Sequence, residues 1–167
     1  MVHPISPLGV VHTLIGLVPI VAALYGFVRY RKIDPEMRSG KIYLIGTVLS
    51  VITSFGVSST GGLNAGHAFG VIVLLVAFAG ALAHKLRFLG SLRPYLSAFG
   101  LSFSFLLSLV PATNETLTRL PPSHPLAAAP LSPLVMHVLI TWFGIFIVGF
   151  AVQCWLVYSG NRGVSRI

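Results

Sequence analysis

The sequence predicts an all-α integral membrane protein, a bundle of five transmembrane helices with the N-terminus outside and the C-terminus cytoplasmic. Three observations predict it. Of 167 residues, 55% are hydrophobic and only 8% charged, with a mean hydropathy of +0.91. A soluble domain carries about a quarter charged residues, so this chain has too few to coat a water-facing surface. Its apolar runs are long and unbroken, which excludes the alternating pattern of a membrane barrel. Helices remain, because backbone groups in lipid must be paired internally. Lastly, the net charge of +8 is concentrated at the ends of apolar segments. That placement reads as membrane orientation and argues against a nucleic-acid surface.

The chain reads as a single membrane domain, 1–167, with helices at about 8–30, 42–58, 64–86, 95–110 and 134–158. No Lys or Arg precedes the first apolar run, so the first helix is expected to remain in the mature protein. It carries His12 near its start and Pro19 as an expected kink. A short polar loop with five basic residues and Asp34 and Glu36 leads to the second helix. There Gly46, Ser50, Ser54 and Ser58 recur at four-residue spacing, the pattern of a close packing face in lipid.

The third helix lies in the stretch 62–88, which is bounded by His67 and His84. The sixteen residues between these histidines carry no formal charge. At about 1.5 Å per residue they cover roughly 24 Å, close to the thickness of bilayer hydrocarbon. Helix four is rich in Ser and Phe. The segment 111–133 holds many prolines and is expected to form an extended outer loop. Asn114-Glu115-Thr116 within it fits an N-glycosylation acceptor, relevant only in a eukaryotic secretory host. The single Cys154 has no partner for an intrachain disulfide and is expected to act as a small buried hydrophobe.

Orientation follows from counting. With five spans, Arg29, Arg31, Lys32, Arg38, Lys41, Lys85, Arg87, Arg93, Arg162 and Arg166 share one side, and Arg119 alone falls on the other. The basic side is the cytoplasmic one. The setting expected is a bacterial inner membrane.

On this topology His12, His67 and His137 enter from the outside at nearly one depth. His12 precedes Arg29 by seventeen residues and His67 precedes Lys85 by eighteen. An ionisable side chain inside the membrane edge is costly and marks a candidate site. Carboxylates are scarce there, with Glu115 alone on the outer side, so hard metals are disfavoured. Imidazole suits haem iron, copper or zinc. Two forms of the site are compatible with the sequence. In one, two of the three histidines ligate a b-type haem between helices. Gly16, Gly70 and Gly144 would make room for it, the Phe-rich fourth helix would pack on it, and Arg119 would meet the propionates. Met136, about 100° from His137 on a helix, is a poor axial ligand. In the other, all three histidines hold copper or zinc with an open position. His3 and His124 read as solvated, and His84 as an interfacial side chain.

The motifs HTLIG, NAGHAFG and MHVLI, set near helix starts in a chain with little extramembrane mass, resemble the small bacterial membrane cytochromes b. Di-haem members carry histidine pairs on both sides of the membrane. The inner pair is lacking here, so the resemblance implies at most one haem. It implies a membrane oxidoreductase or electron-transfer subunit exchanging electrons with a quinol or a small outer-side partner. The alternative is an accessory or structural subunit of a larger membrane complex, without its own cofactor. No phosphate-binding glycine loop, zincin helix or CxxC motif is present.

Overall fold

The computed structural model describes residues 7–57, 62, 64–121 and 123–164, with side chains as far as 160. His3, Ser58 and the side chains of Arg162 and Arg166 lie outside the described residues. Among those described, the chain is all-helical: α1 (Pro7–Tyr30), α2 (Arg38–Ser54), α3 (Ala65–Ala83), α4 (Arg93–Arg119) and α5 (Pro133–Val164). A 3-10 segment, Arg87–Leu92, bends at Gly90, where φ is 51°. Four helices, α1, α3, α4 and α5, are long and apolar enough to cross a membrane. At 17 residues α2 is the shortest, about 25 Å long.

Successive helices pack as neighbours, α1 on α2, α2 on α3, α3 on α4 and α4 on α5. Short connections bring each helix back beside the one before it. His12, the α2 C-terminus, His67 and the α5 N-terminus thus share one end of the bundle, and the Arg/Lys-rich turns share the other.

The central helix is α4. Half of its span is buried, against 22% for α1 and α3 and 6% for α5. Its buried face includes Ser97, Ala98, Gly100 and Ser104, small residues that let other helices approach, together with Leu101. The closest approach is to α3. A Cβ on Gly100 would lie 2.6 Å from the Gly80 Cα, and one on Gly80 would lie 2.7 Å from the Leu101 backbone nitrogen. Only glycine at both positions lets the two backbones meet.

Toward the basic end, Ala22, Ala23, Ile33, Tyr43 and Leu101 form the core cluster. Ser104 Oγ donates to the Leu101 carbonyl, so the Tyr43 hydroxyl donates to Ser104 Oγ at 2.7 Å, pinning α2 to α4. On the far side of α4, Phe99 and Phe103 pack edge-on and tilted against Phe146 and Phe150 of α5.

Two expectations change. The fourth helix does not end at 110. It continues through Pro111 to Arg119, taking the first part of the expected loop 111–133. Proline costs one backbone bond, to the Leu107 carbonyl, but the following turn is held by other bonds. Asn114 Nδ2 donates to the Val110 carbonyl, Thr118 Oγ1 to the Asn114 carbonyl, and Arg119 pairs with Glu115. Asn114 therefore sits in a helix with its amide engaged at both ends, since its Oδ1 accepts from the Leu131 N–H. That is not an open acceptor loop.

The second helix runs about four residues earlier than 42–58. Gly40 permits this, because a Cβ there would lie 1.9 Å from the Asp34 carbonyl oxygen. The preceding loop thus folds tightly onto the first turn, which admits Arg38 and Lys41. In α1 the Pro19 ring lies within the helix and seats against Gly46 of α2. This is the packing face expected from the small-residue stripe.

Candidate functional site

The histidine end is built on the last turn of α2. The first N–H groups of α3 are orphans that any helix start leaves unpaired, and the Ser54 carbonyl, which accepts from the Val57 N–H at 3.0 Å, keeps a second lone pair free. Asn64 caps α3, its Oδ1 accepting from the His67 N–H at 3.2 Å. His67 answers in kind, its Nδ1 accepting from the Asn64 N–H at 3.0 Å. This is the reciprocal geometry of a capping box, with imidazole in place of the usual Glu or Gln. With Nδ1 accepting, Nε2 carries the proton and donates to the Ser54 carbonyl at 3.0 Å. The ring stacks on Phe55 with centroids 4.7 Å apart and planes 9° from parallel. One buried side chain, 5% exposed, thus closes the end of one helix and the start of the next.

His12 meets the same turn from α1. Thr53 Oγ1 donates to the carbonyls of Leu49 and Ser50, at 2.9 and 3.0 Å. Its oxygen therefore accepts from His12 Nδ1–H at 2.9 Å. Two of the expected site histidines converge, through the successive residues Thr53 and Ser54.

The third does not join them. His137 lies on α5, which packs on α4, and its Nδ1 donates to the Pro133 carbonyl one turn back in its own helix. Its side chain is exposed. Among the described residues no group of three His, Cys, Asp or Glu side chains is placed to hold a metal ion. His84 caps the end of α3 at the basic end, near Asp34. His124 is exposed.

Haem fits these residues poorly. In this arrangement His67 has no lone pair left for iron, because Nδ1 accepts and Nε2 donates. Two of the three glycines expected to make room are occupied from α2: a Cβ on Gly16 would lie 3.3 Å from Ser50 Oγ, and one on Gly70 3.3 Å from Val51, while Gly144 is open but lies on α5, away from His12 and His67. The phenylalanines of α4 are spent on α5 and on Phe27.

Sequence reasoning missed Gln153, the only glutamine of the chain. Only 6% exposed, it accepts from Ser102 Oγ at 3.0 Å and donates Nε2–H to the Arg31 carbonyl at 3.0 Å. It ties α5 both to α4 and to the α1–α2 loop, where Arg31 has a left-handed φ of 64°. An amide alone in an apolar run was the available signal. Cys154 beside it is half-buried.

The α1–α2 loop carries the one carboxylate with a clear electrostatic environment. Partial burial pushes the Asp34 carboxyl up, but the Glu36 N–H at 3.0 Å, Lys32 Nζ at 3.1 Å and nearby His84 outweigh it. The group is held below the usual carboxylate range.

No protein-family model, no curated protein and no solved structure matches this chain.

Proposed function

We propose that this chain is an accessory membrane subunit that acts by packing against a transmembrane helix of another protein. The observation that carries the reading is the outer face of α5. On one side α5 meets α4 through Phe146, Phe150 and Gln153. About 180° away on a helix lie His137, Thr141, Gly144, Val148 and Trp155, all exposed. A Cβ on Gly144 would meet nothing within 4 Å. A glycine flanked by a threonine and a histidine in a lipid-facing stripe is unsuited to acyl chains and suited to a close helix neighbour offering a polar group. The histidines of α1 and α3 act within this reading as fasteners of the helix ends.

The chain would sit in a bacterial inner membrane with five spans, its basic turns cytoplasmic, as the ten-to-one distribution of Lys and Arg supports.

The test uses a photo-crosslinking residue at Val148 in cells, with Gly144→Leu in the same background. Expected is a discrete adduct to one membrane protein, lost with Gly144→Leu while the melting temperature is unchanged. An adduct only to lipid, or one indifferent to Gly144→Leu, would refute the reading. The redox alternative has its own signature in an absorption spectrum before and after dithionite, with elemental analysis. A Soret band, or stoichiometric copper or zinc, would displace the accessory reading in favour of a haem or metal centre at His12, His67 or His137 exchanging electrons with a quinol.

A further inference from the structure

Between α1 and α2, on the side away from α4, runs a groove of about 520 Å³. Its walls are apolar for most of their length, with Leu14, Val18 and Val21 of α1 and then Tyr25 near the basic end. There the lining changes character, to Arg38 and Ser39 of the first turn of α2. From Leu14 to Tyr25 is eleven residues, roughly 16 Å along a helix. That is about half of the ~30 Å hydrocarbon core, the depth of a single leaflet.

The polar end of the groove is unsatisfied in three independent ways. The Ser39 side chain is 7% exposed, and its Oγ has no hydrogen-bond partner. Met37, at the N-cap of α2, supplies no side-chain cap, so the first N–H groups of that helix lack the acceptor that Asn64 provides for α3. Arg38 is in no ion pair among the described residues, whereas neighbouring Lys32 is paired with Asp34 and Arg29 lies over the Tyr30 ring. A hydroxyl, a helix N-terminus and a guanidinium at one point are the donors a phosphate oxygen accepts from.

We infer that this groove binds an anionic phospholipid, with one acyl chain along Leu14–Tyr25 and the headgroup phosphate held by Arg38, Ser39 and the first turn of α2. The apolar length selects a lipid over a soluble anion. The surplus of basic residues in the turn, five against Asp34 and Glu36, selects an anionic headgroup over a zwitterionic one. The site is independent of what α5 packs against.

Native mass spectrometry of the full chain, released from detergent containing graded phosphatidylglycerol or phosphatidylcholine, tests this. The wild type should retain one phosphatidylglycerol in preference to phosphatidylcholine. Arg38→Gln should weaken retention about tenfold, the loss of one charge-assisted contact of roughly 1.4 kcal/mol. Val21→Trp, which fills the apolar part while leaving Arg38 in place, should weaken it comparably. Arg87→Gln, a basic residue of the same end outside the groove, should retain the wild-type value. Both groove positions are exposed, and unchanged helix content confirms that each variant is folded. Equal retention of the two lipids, or retention indifferent to Arg38→Gln, would overturn the inference. So would binding of inorganic phosphate alone that matches phosphatidylglycerol and is indifferent to Val21→Trp, since the site would then be one for a free anion.

Discussion

The contact between Gly80 and Gly100 offers the sharpest test of how this bundle is held. Alanine at 100 would place a Cβ 2.6 Å from the Gly80 Cα, 2.9 Å from its nitrogen and 3.3 Å from the Val76 carbonyl oxygen. All three are backbone atoms, so no rotamer change relieves the overlap. Non-bonded carbons settle at about 3.5–4.0 Å, so α3 and α4 must part locally by about 1 Å. A gap of that size forfeits a quarter to a half of the dispersion energy of the atoms lining it. Overpacking of this kind costs about 1–3 kcal/mol, and the intrinsic helix preference for alanine over glycine returns about 1 kcal/mol at most. A net loss of about 1 kcal/mol, and at most about 2 kcal/mol, is expected for Gly80→Ala and for Gly100→Ala.

The assay is reversible unfolding in mixed micelles by titration with a denaturing detergent, followed by circular dichroism. Gly144→Ala is the internal control, because nothing lies within 4 Å of its Cβ position, and it should be neutral or slightly stabilising. The double variant Gly80→Ala/Gly100→Ala should cost less than the sum of the singles, since either one already opens the crossing. If both singles are as well tolerated as Gly144→Ala, the close approach of α3 and α4 is not what stabilises the bundle.

Other predictions concern polar fasteners. Gln153→Leu leaves the Arg31 carbonyl and Ser102 without partners and should destabilise by about 1–3 kcal/mol. Adding Ser102→Ala should recover part of the loss in the same unfolding assay. Asn64→Ala removes a helix cap and should cost about 1 kcal/mol. His67→Ala removes the reciprocal bond, the bond to Ser54 and the stack on Phe55 together, so it should cost more, about 2–4 kcal/mol. An unchanged melting curve for His67→Ala would contradict the capping role. Asp34, with its carboxyl held below the ordinary value of 3.8, contributes stability that is present at neutral pH and lost as pH falls through its folded-state value. Asp34→Asn should therefore lower the melting temperature at pH 7, with the difference from wild type closing below about pH 3.8. The effect is small, under about 1 kcal/mol, because the Lys32 side chain is partly exposed and its pairing is screened by solvent.

Much of the architecture was legible in the sequence, because hydropathy and charge act locally. The apolar runs at 8–30, 64–86 and 134–158 coincide with α1, α3 and α5 to within a few residues at most boundaries. The stripe Gly46–Ser50 lies where α2 meets Pro19 and Gly16 of α1. The end of α4 was not legible, since Pro111 is a strong local signal against a helix. What outweighs it, the Asn114 and Thr118 bonds and the Glu115–Arg119 pair, appears only once the turn has formed. Nor was α4 evident as the central helix. Its serines look polar in sequence, and it is the Tyr43 hydroxyl, the Gln153 amide and helical back-bonds that satisfy them in the interior.

The site divides along the same line. Composition points to helices, hydropathy marks five apolar runs, of which four form helices long and apolar enough to cross a bilayer, and sequence spacing sets His12, His67 and His137 near the starts of their helices, because each of these depends on residues near in sequence. Whether an imidazole ligates or fastens depends on which atoms occupy its two nitrogens. For His67 these are Asn64, three residues back, and the Ser54 carbonyl, presented by a different helix. His137 had the same sequence credentials and was carried elsewhere by α5. For His67 the local sequence commits Nδ1 to the Asn64 N–H, and the packing of α2 against α3 brings the Ser54 carbonyl to Nε2.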